Sequence, residues 1–146
     1  PTTPGVPLKL LLRRRQRSTK SARQTLPEHV QHGAATRSLA RVIALIEGLA
    51  EADPEMLRIG FTDELHVPYR LPLIPGGETA LHAAWKAGAY AATISGSGSG
   101  LIAVCPPDLE FEVCDTMRAA FEHATSAEAI AFVATPDLYG AQYVDT

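Results

Sequence analysis

The segment Thr93-Ile94-Ser95-Gly96-Ser97-Gly98-Ser99-Gly100 is where residue type and spacing speak most directly of chemistry. Alternating glycines permit positive φ and a close backbone approach, and the serines add hydroxyls. Such a turn can hold an anionic group or line an active site. On composition alone it reads equally well as a flexible hairpin connection. It is not a phosphate loop of the GxxxxGK[ST] type, because no lysine follows. His29 and His32 stand at a spacing that two metal ligands could share, but no third ligand accompanies them, and a solvated helix start is the plainer reading. For His66 a structural hydrogen bond is the simpler role, and His82 and His123 have no evident partner. Cys105 and Cys114 lie in apolar surroundings without CxxC spacing, which favours reduced, buried thiols over a disulfide or a metal site.

The elements that must position this turn follow from periodicity. Three prolines among residues 1–7 exclude a helix or a central strand there. Leu8 to Leu12 reads as a short strand, interrupted by the arginine-rich stretch Arg13-Arg14-Arg15-Gln16-Arg17. Ser18 or Thr19 can cap a short helix that Pro27 ends. From Glu28 to about Ala50, Leu39, Val42, Ile43, Leu45, Ile46 and Leu49 recur at threes and fours, which predicts one long amphipathic helix. Asp53 before Pro54 caps another helix, through about Phe61. Residues 62–76 carry three prolines and read as an ordered, turn-rich connection with one helical turn before Pro68. A helix over Gly77–Ala87 stops at Gly88. Tyr90–Ile94 and Leu101–Cys105 read as buried strands flanking the glycine turn. Pro107 to about His123 is a helix with Leu109, Val113, Met117, Ala120 and Phe121 inward, and Ala129–Ala134 a last strand. The pattern predicts an α+β two-layer sandwich, with helices on one face of a mainly antiparallel sheet.

The chain's 146 residues suit one compact domain. With 46% hydrophobic and 20% charged residues, wholesale disorder and a fibrous repeat are excluded. No apolar run approaches the roughly 20 residues of a membrane span, so a soluble cytoplasmic protein is the expectation. The net charge of −3 is unevenly spread: up to Arg41 nine Lys or Arg face one acid, and beyond it four bases face fifteen acids. A basic front end could attract nucleic acid, a small anionic substrate or another part of a larger protein, and beside an acidic body it permits a homodimer.

The glycine turn, with Gly88-Ala89 and a strand before it and an apolar strand after it, resembles the third motif of the small-molecule kinases that include galactokinase, homoserine kinase and mevalonate kinase. Ser18-Thr19-Lys20-Ser21-Ala22-Arg23-Gln24-Thr25-Leu26-Pro27 is similar to the threonine–x–x–alanine–arginine stretch of homoserine kinases. Asp63-Glu64-Leu65-His66-Val67-Pro68-Tyr69-Arg70, continuing to Leu73-Ile74-Pro75-Gly76, resembles their proline–tyrosine–arginine segment. Three motifs stand in family order. The resemblance covers roughly residues 18–135, and only the C-terminal half of such an enzyme.

It implies a ferredoxin-like C-terminal domain over 18–146, preceded by a linker and the end of an N-terminal domain over 1–17. It also implies the substrate-binding half of an enzyme that phosphorylates L-homoserine in threonine biosynthesis. ATP and Mg2+ would be bound mainly by the N-terminal half. Arg23 and Arg70 would take the substrate carboxylate, since a planar guanidinium donates two parallel hydrogen bonds. Thr19 would line the pocket, and Gly96 and Gly98 would let the backbone approach the substrate. No catalytic base or metal ligand is assigned. Simpler roles exist for each: Arg23 neutralising a surface acid, Arg70 pinning its loop, Thr19 capping a helix. A non-catalytic amino-acid-sensing module on the same fold remains the alternative. Nucleic-acid binding through Arg13-Arg14-Arg15 and Arg17 is poorly supported, because aromatic residues are only 6% and do not interleave with the arginines.

Overall fold

The computed structural model describes residues 19–98, 100–134 and 143, together with the backbone of 8–13. Apart from the backbone of 8–13, the linker and domain end expected over 1–17 lie outside the described residues, as do the cap candidate Ser18 and Ser99 of the glycine turn.

Four strands, β1 (Leu8–Arg13), β2 (Ala91–Ser95), β3 (Gly100–Val104) and β4 (Ala129–Ala134), form one sheet in the order β2-β3-β1-β4. Every pairing is antiparallel, with Leu10 opposite both Ile102 and Phe132, and Ala91 opposite Val104. The first strand therefore sits in the centre, between strands that come about 90 and about 120 residues later in the chain. This is the α+β, ferredoxin-like arrangement expected from the sequence.

The helical layer on one face comprises α5 (Gly77–Lys86) and α6 (Glu110–Thr125). Alternation along β2 and β3 sends Ala92, Ile94, Leu101 and Ala103 to this side. There they pack with Ala80, Leu81, Ala84, Val113, Met117 and Phe121 into the main core. Phe121, Met117 and Val113 are completely buried, and burying each side chain of this kind stabilises the fold by about 1.5–3 kcal/mol. Both cysteines are buried in this layer.

The other parity of the sheet meets a second set of helices. Ala91 and Val104 pack with Leu57 of α3 (Pro54–Gly60), and with Leu45 of α2 (His32–Glu51), at the β2/β3 end only. Farther across, Ile130 and Phe132 of β4 remain exposed. The expectation of helices on one face thus holds for α5 and α6, while the α2–α3 pair adds partial cover to the opposite face.

Local chemistry explains the element ends. The Asp53 side chain accepts hydrogen bonds from the Glu55 and Met56 amides, and Pro54 opens α3. Helix α1 spans Thr19–Arg23 and is followed by a turn through Leu26, shorter than the sequence suggests. The turn expected before Pro68 instead contains it: α4 runs over Val67–Arg70, where proline is tolerated because a first-turn amide has no helical acceptor. A further difference concerns α2. Of its six large aliphatic side chains only Leu45 turns inward, while Leu39, Val42, Ile43, Ile46 and Leu49 are exposed.

Candidate functional site

The β2–β3 connection and α4 meet on the partly covered face of the sheet. Gly96 and Gly98 take φ of +61° and +99°, so the turn uses the left-handed conformations that its alternating glycines anticipate. Open space surrounds Gly96, with no atom within 4 Å of where a Cβ would stand; at Gly98 a Cβ would press on the Ile74 side chain at 3.3 Å. Gly96 therefore leaves its backbone uncovered, and Gly98 packs the turn against the loop before α5.

Arg70, the last residue of α4, reaches this turn: its Nη1 donates to the Gly96 carbonyl at 3.1 Å. Its Nε is buried and has no hydrogen-bond partner. A buried guanidinium donor without a protein acceptor is costly. Between the two segments opens a cavity of about 470 Å³, lined by Asp63, His66, Val67 and Arg70 on one side and by Thr93, Ser95 and Gly96 on the other. That volume lies in the range of small-molecule sites.

Two carboxylates hold the loop that carries Arg70. Asp63 accepts from the backbone amides of Leu65, His66 and Val67, which ties the chain into the turn that becomes α4. Burial pushes its carboxyl up, but those amides and the nearby His66, whose Nδ1 stands 3.5 Å away, outweigh burial and leave it below the usual carboxylate range. Glu64 receives both Arg37 Nε at 2.9 Å and Arg37 Nη2 at 2.6 Å, and also Arg41 Nη1. These hydrogen bonds and charges hold the Glu64 carboxyl down at about 2. The two arginines belong to α2, so Glu64 fastens the Arg70 loop to the long helix.

Sequence reasoning missed Glu64, because partners 23 and 27 residues away leave no local pattern. Asp63 did have a readable signal: an Asp four residues before the helical turn begins, with proline in its first turn.

The structure brings Arg70 together with Gly96. Thr19 and Arg23 open and close α1, which buries Ala22; both are exposed, and neither lines the cavity. Arg23 makes no ion pair among the described residues. Gly98 lies in the same turn but is not part of the lining. His29 and His32 are exposed, and among the described residues no three His, Cys, Asp or Glu side chains are grouped to hold a metal ion. No helix is long and apolar enough to cross a membrane among those residues.

Residues 38–123 match the model of the GHMP kinases' C-terminal domain, which is more than half of the chain. The chain belongs to the GHMP kinase family. Within that family it is similar to homoserine kinases. It is 38% identical to the one from Synechococcus sp. strain RCC307 over 105 residues, covering 72% of this chain and 33% of that enzyme. It is also 38% identical to the one from Methanocella arvoryzae over 107 residues, covering 73% and 36%. The crystal structure of homoserine kinase from Cytophaga hutchinsonii superposes with a TM-score of 0.84 at 26% identity, over 92% of this chain and 43% of that one. The fold is shared more distantly with a 4-(cytidine 5'-diphospho)-2C-methyl-D-erythritol kinase, at a TM-score of 0.56 and 17% identity. This GHMP domain therefore spans about a third of the length of the curated relatives it matches.

Proposed function

We propose that this GHMP domain is the substrate-binding half of a homoserine kinase, over residues 18–146, working in the cytoplasm on the threonine branch of amino-acid synthesis. The reaction is ATP-dependent phosphorylation of the L-homoserine side-chain hydroxyl. The reading rests on one observation above all: Arg70, tied to the Gly96 carbonyl, lines a cavity of about 470 Å³ beside the glycine turn. The named relatives supply the substrate class.

In this account Arg70 takes the α-carboxylate, whereas Thr19 and Arg23, exposed on α1 outside the cavity lining, have no contact with the ligand. Gly96 presents backbone to the end of the substrate that receives the phosphoryl group, and Gly98 holds the turn against Ile74. The domain's task is alignment, since phosphoryl transfer gains most from positioning and from charge stabilisation. The described residues do not fit the nucleotide–metal group: no carboxylate cluster suits Mg2+, and the glycine turn has no lysine. In the whole enzyme ATP and Mg2+ would be bound mainly by the N-terminal half, while this chain's own residues bind and orient the acceptor.

Calorimetric titration of the 146-residue chain with L-homoserine, and with L-alanine and L-threonine as controls, tests the assignment. Saturable binding that prefers L-homoserine supports it. Stabilisation by another amino acid with none by homoserine would favour a sensing module instead. The chain alone is expected not to turn over ATP.

A further inference from the structure

Helix α5 turns Glu78, Leu81, His82 and Trp85, spaced as one helical face, toward a second cavity beside β2, the edge strand of the sheet. Arg58 and Phe61, at the end of α3, and Tyr90, just ahead of β2, also line it. Its volume is about 740 Å³, larger than the cavity beside Arg70. The two linings share Phe61, Asp63, Val67 and Thr93, but neither Arg70 nor the glycine turn belongs to the larger one. Trp85 is the one tryptophan of the chain, and it stands 57% exposed. Together with Phe61 and Tyr90 it offers ring faces and edges on which another flat ring packs in offset or edge-on geometry. A mainly apolar cavity of this size with a few polar groups is the ordinary composition of a small-molecule site.

The charges narrow the class of ligand. Asp63 is spent on the Leu65, His66 and Val67 amides. That leaves Arg58, from α3, and Glu78, from α5. Both are exposed, and neither side chain forms an ion pair or hydrogen bond among the described residues. An aromatic hydrocarbon would leave both charges unanswered, an aromatic acid would answer Arg58 alone, and an aromatic amine Glu78 alone. A ring that carries a carboxylate and an ammonium answers both with charge-assisted hydrogen bonds. We propose that this cavity is a binding site for a free aromatic amino acid, with its ring among Phe61, Trp85 and Tyr90, its carboxylate on Arg58 and its ammonium on Glu78. L-Homoserine has no apolar body to cover those rings, so the two cavities select different amino acids. Neither Arg58 nor Glu78 lines the cavity beside Arg70, and the site therefore stands apart from the substrate assignment.

As the chain's single tryptophan, Trp85 reports occupancy directly. Titration of the 146-residue chain with L-phenylalanine should change its fluorescence saturably, and calorimetry should return the same dissociation constant. Phenethylamine, which lacks the carboxylate, and phenylpropionate, which lacks the ammonium, should each bind at least about tenfold more weakly, as the loss of one charged hydrogen bond requires. Arg58→Ala and Glu78→Ala, both at exposed helix positions, should weaken L-phenylalanine to a similar degree. Arg58→Ala should leave phenethylamine binding unchanged, and Glu78→Ala should leave phenylpropionate binding unchanged, which assigns each charge to its partner. Arg70→Ala should leave the L-phenylalanine titration as it is, so that failure of this site and failure of the homoserine site are read separately. No saturable response at millimolar L-phenylalanine, equal binding of the three compounds, or a loss in Arg70→Ala with none in Arg58→Ala and Glu78→Ala would overturn the proposal.

Discussion

Arg70 and Gly96, 26 residues apart, are joined by one hydrogen bond from guanidinium to carbonyl, 3.1 Å long, which ties the proline-rich loop to the glycine turn. The bond spends one Arg70 donor on holding the turn and leaves the buried Nε unsatisfied. The two glycines of that turn are consequently not equivalent. Alanine at Gly96 meets no neighbour, so only the left-handed backbone opposes it, at about 1–2 kcal/mol. Alanine at Gly98 adds pressure on Ile74 to the same backbone cost. Thermal unfolding should therefore rank Gly98→Ala below Gly96→Ala in stability, whereas homoserine titration should show the larger loss of affinity for Gly96→Ala. The reverse order in either measurement contradicts these roles.

Acid should loosen the loop through Glu64. Its carboxyl lies at about 2 in the folded chain against an ordinary 4.5, so it binds protons more readily when unfolded. Its stabilising contribution is complete above about pH 4.5 and is lost as pH falls toward 2. Urea unfolding between pH 6 and 2.5 should show a shallower decline for Glu64→Gln than for the wild-type chain, with the residual slope coming partly from Asp63, which is also held low. Parallel curves would show that the Arg37 and Arg41 pairing adds nothing to stability.

Much of this architecture is legible from local chemistry. The Asp53-Pro54 helix start, the positive-φ glycines and the alternating β2 and β3 strands each follow from residue type and period. What escapes such reading is non-local. Aliphatic residues at threes and fours ordinarily mark a core-facing side, yet in α2 the close approach to α3 requires Gly48 and Gly60, which turns five of the six outward. The Glu64 pairs span more than twenty residues and leave no spacing to recognise. At the candidate site, Arg70 could be placed because its loop and the glycine turn are both ordered by strong local signals. Arg23 sits on a five-residue helix whose docking no sequence pattern specifies.

The α2–α3 contact can be tested at Gly60. A Cβ there would meet Leu45 backbone and side chain at 2.5–2.7 Å, with no flexible group able to yield. Gly60→Ala should lower stability by about 1–3 kcal/mol despite alanine's better helix propensity, as overpacked interiors do. A domain of this size should lose about 2–4 °C in Tm per kcal/mol. An unchanged or raised Tm would mean that the two helices can separate without cost.

The α3 cap offers a milder and independent perturbation. Asp53→Ala removes the acceptor for the Glu55 and Met56 amides and should cost about 0.5–2 kcal/mol, with Asp53→Asn or Asp53→Ser recovering most of it. Equal losses for all three variants would argue against capping as the cause.

The affinity of L-homoserine for the chain carrying Arg70→Ala, set beside Arg70→Lys and the wild-type chain in one calorimetric series, bears most directly on the function. Loss of a charged hydrogen-bonding group should weaken binding about 10- to 100-fold in Arg70→Ala. Lysine should restore only part of that, because a point charge cannot replace the planar fork. Homoserine binding that is undiminished in Arg70→Ala would contradict the account at its centre.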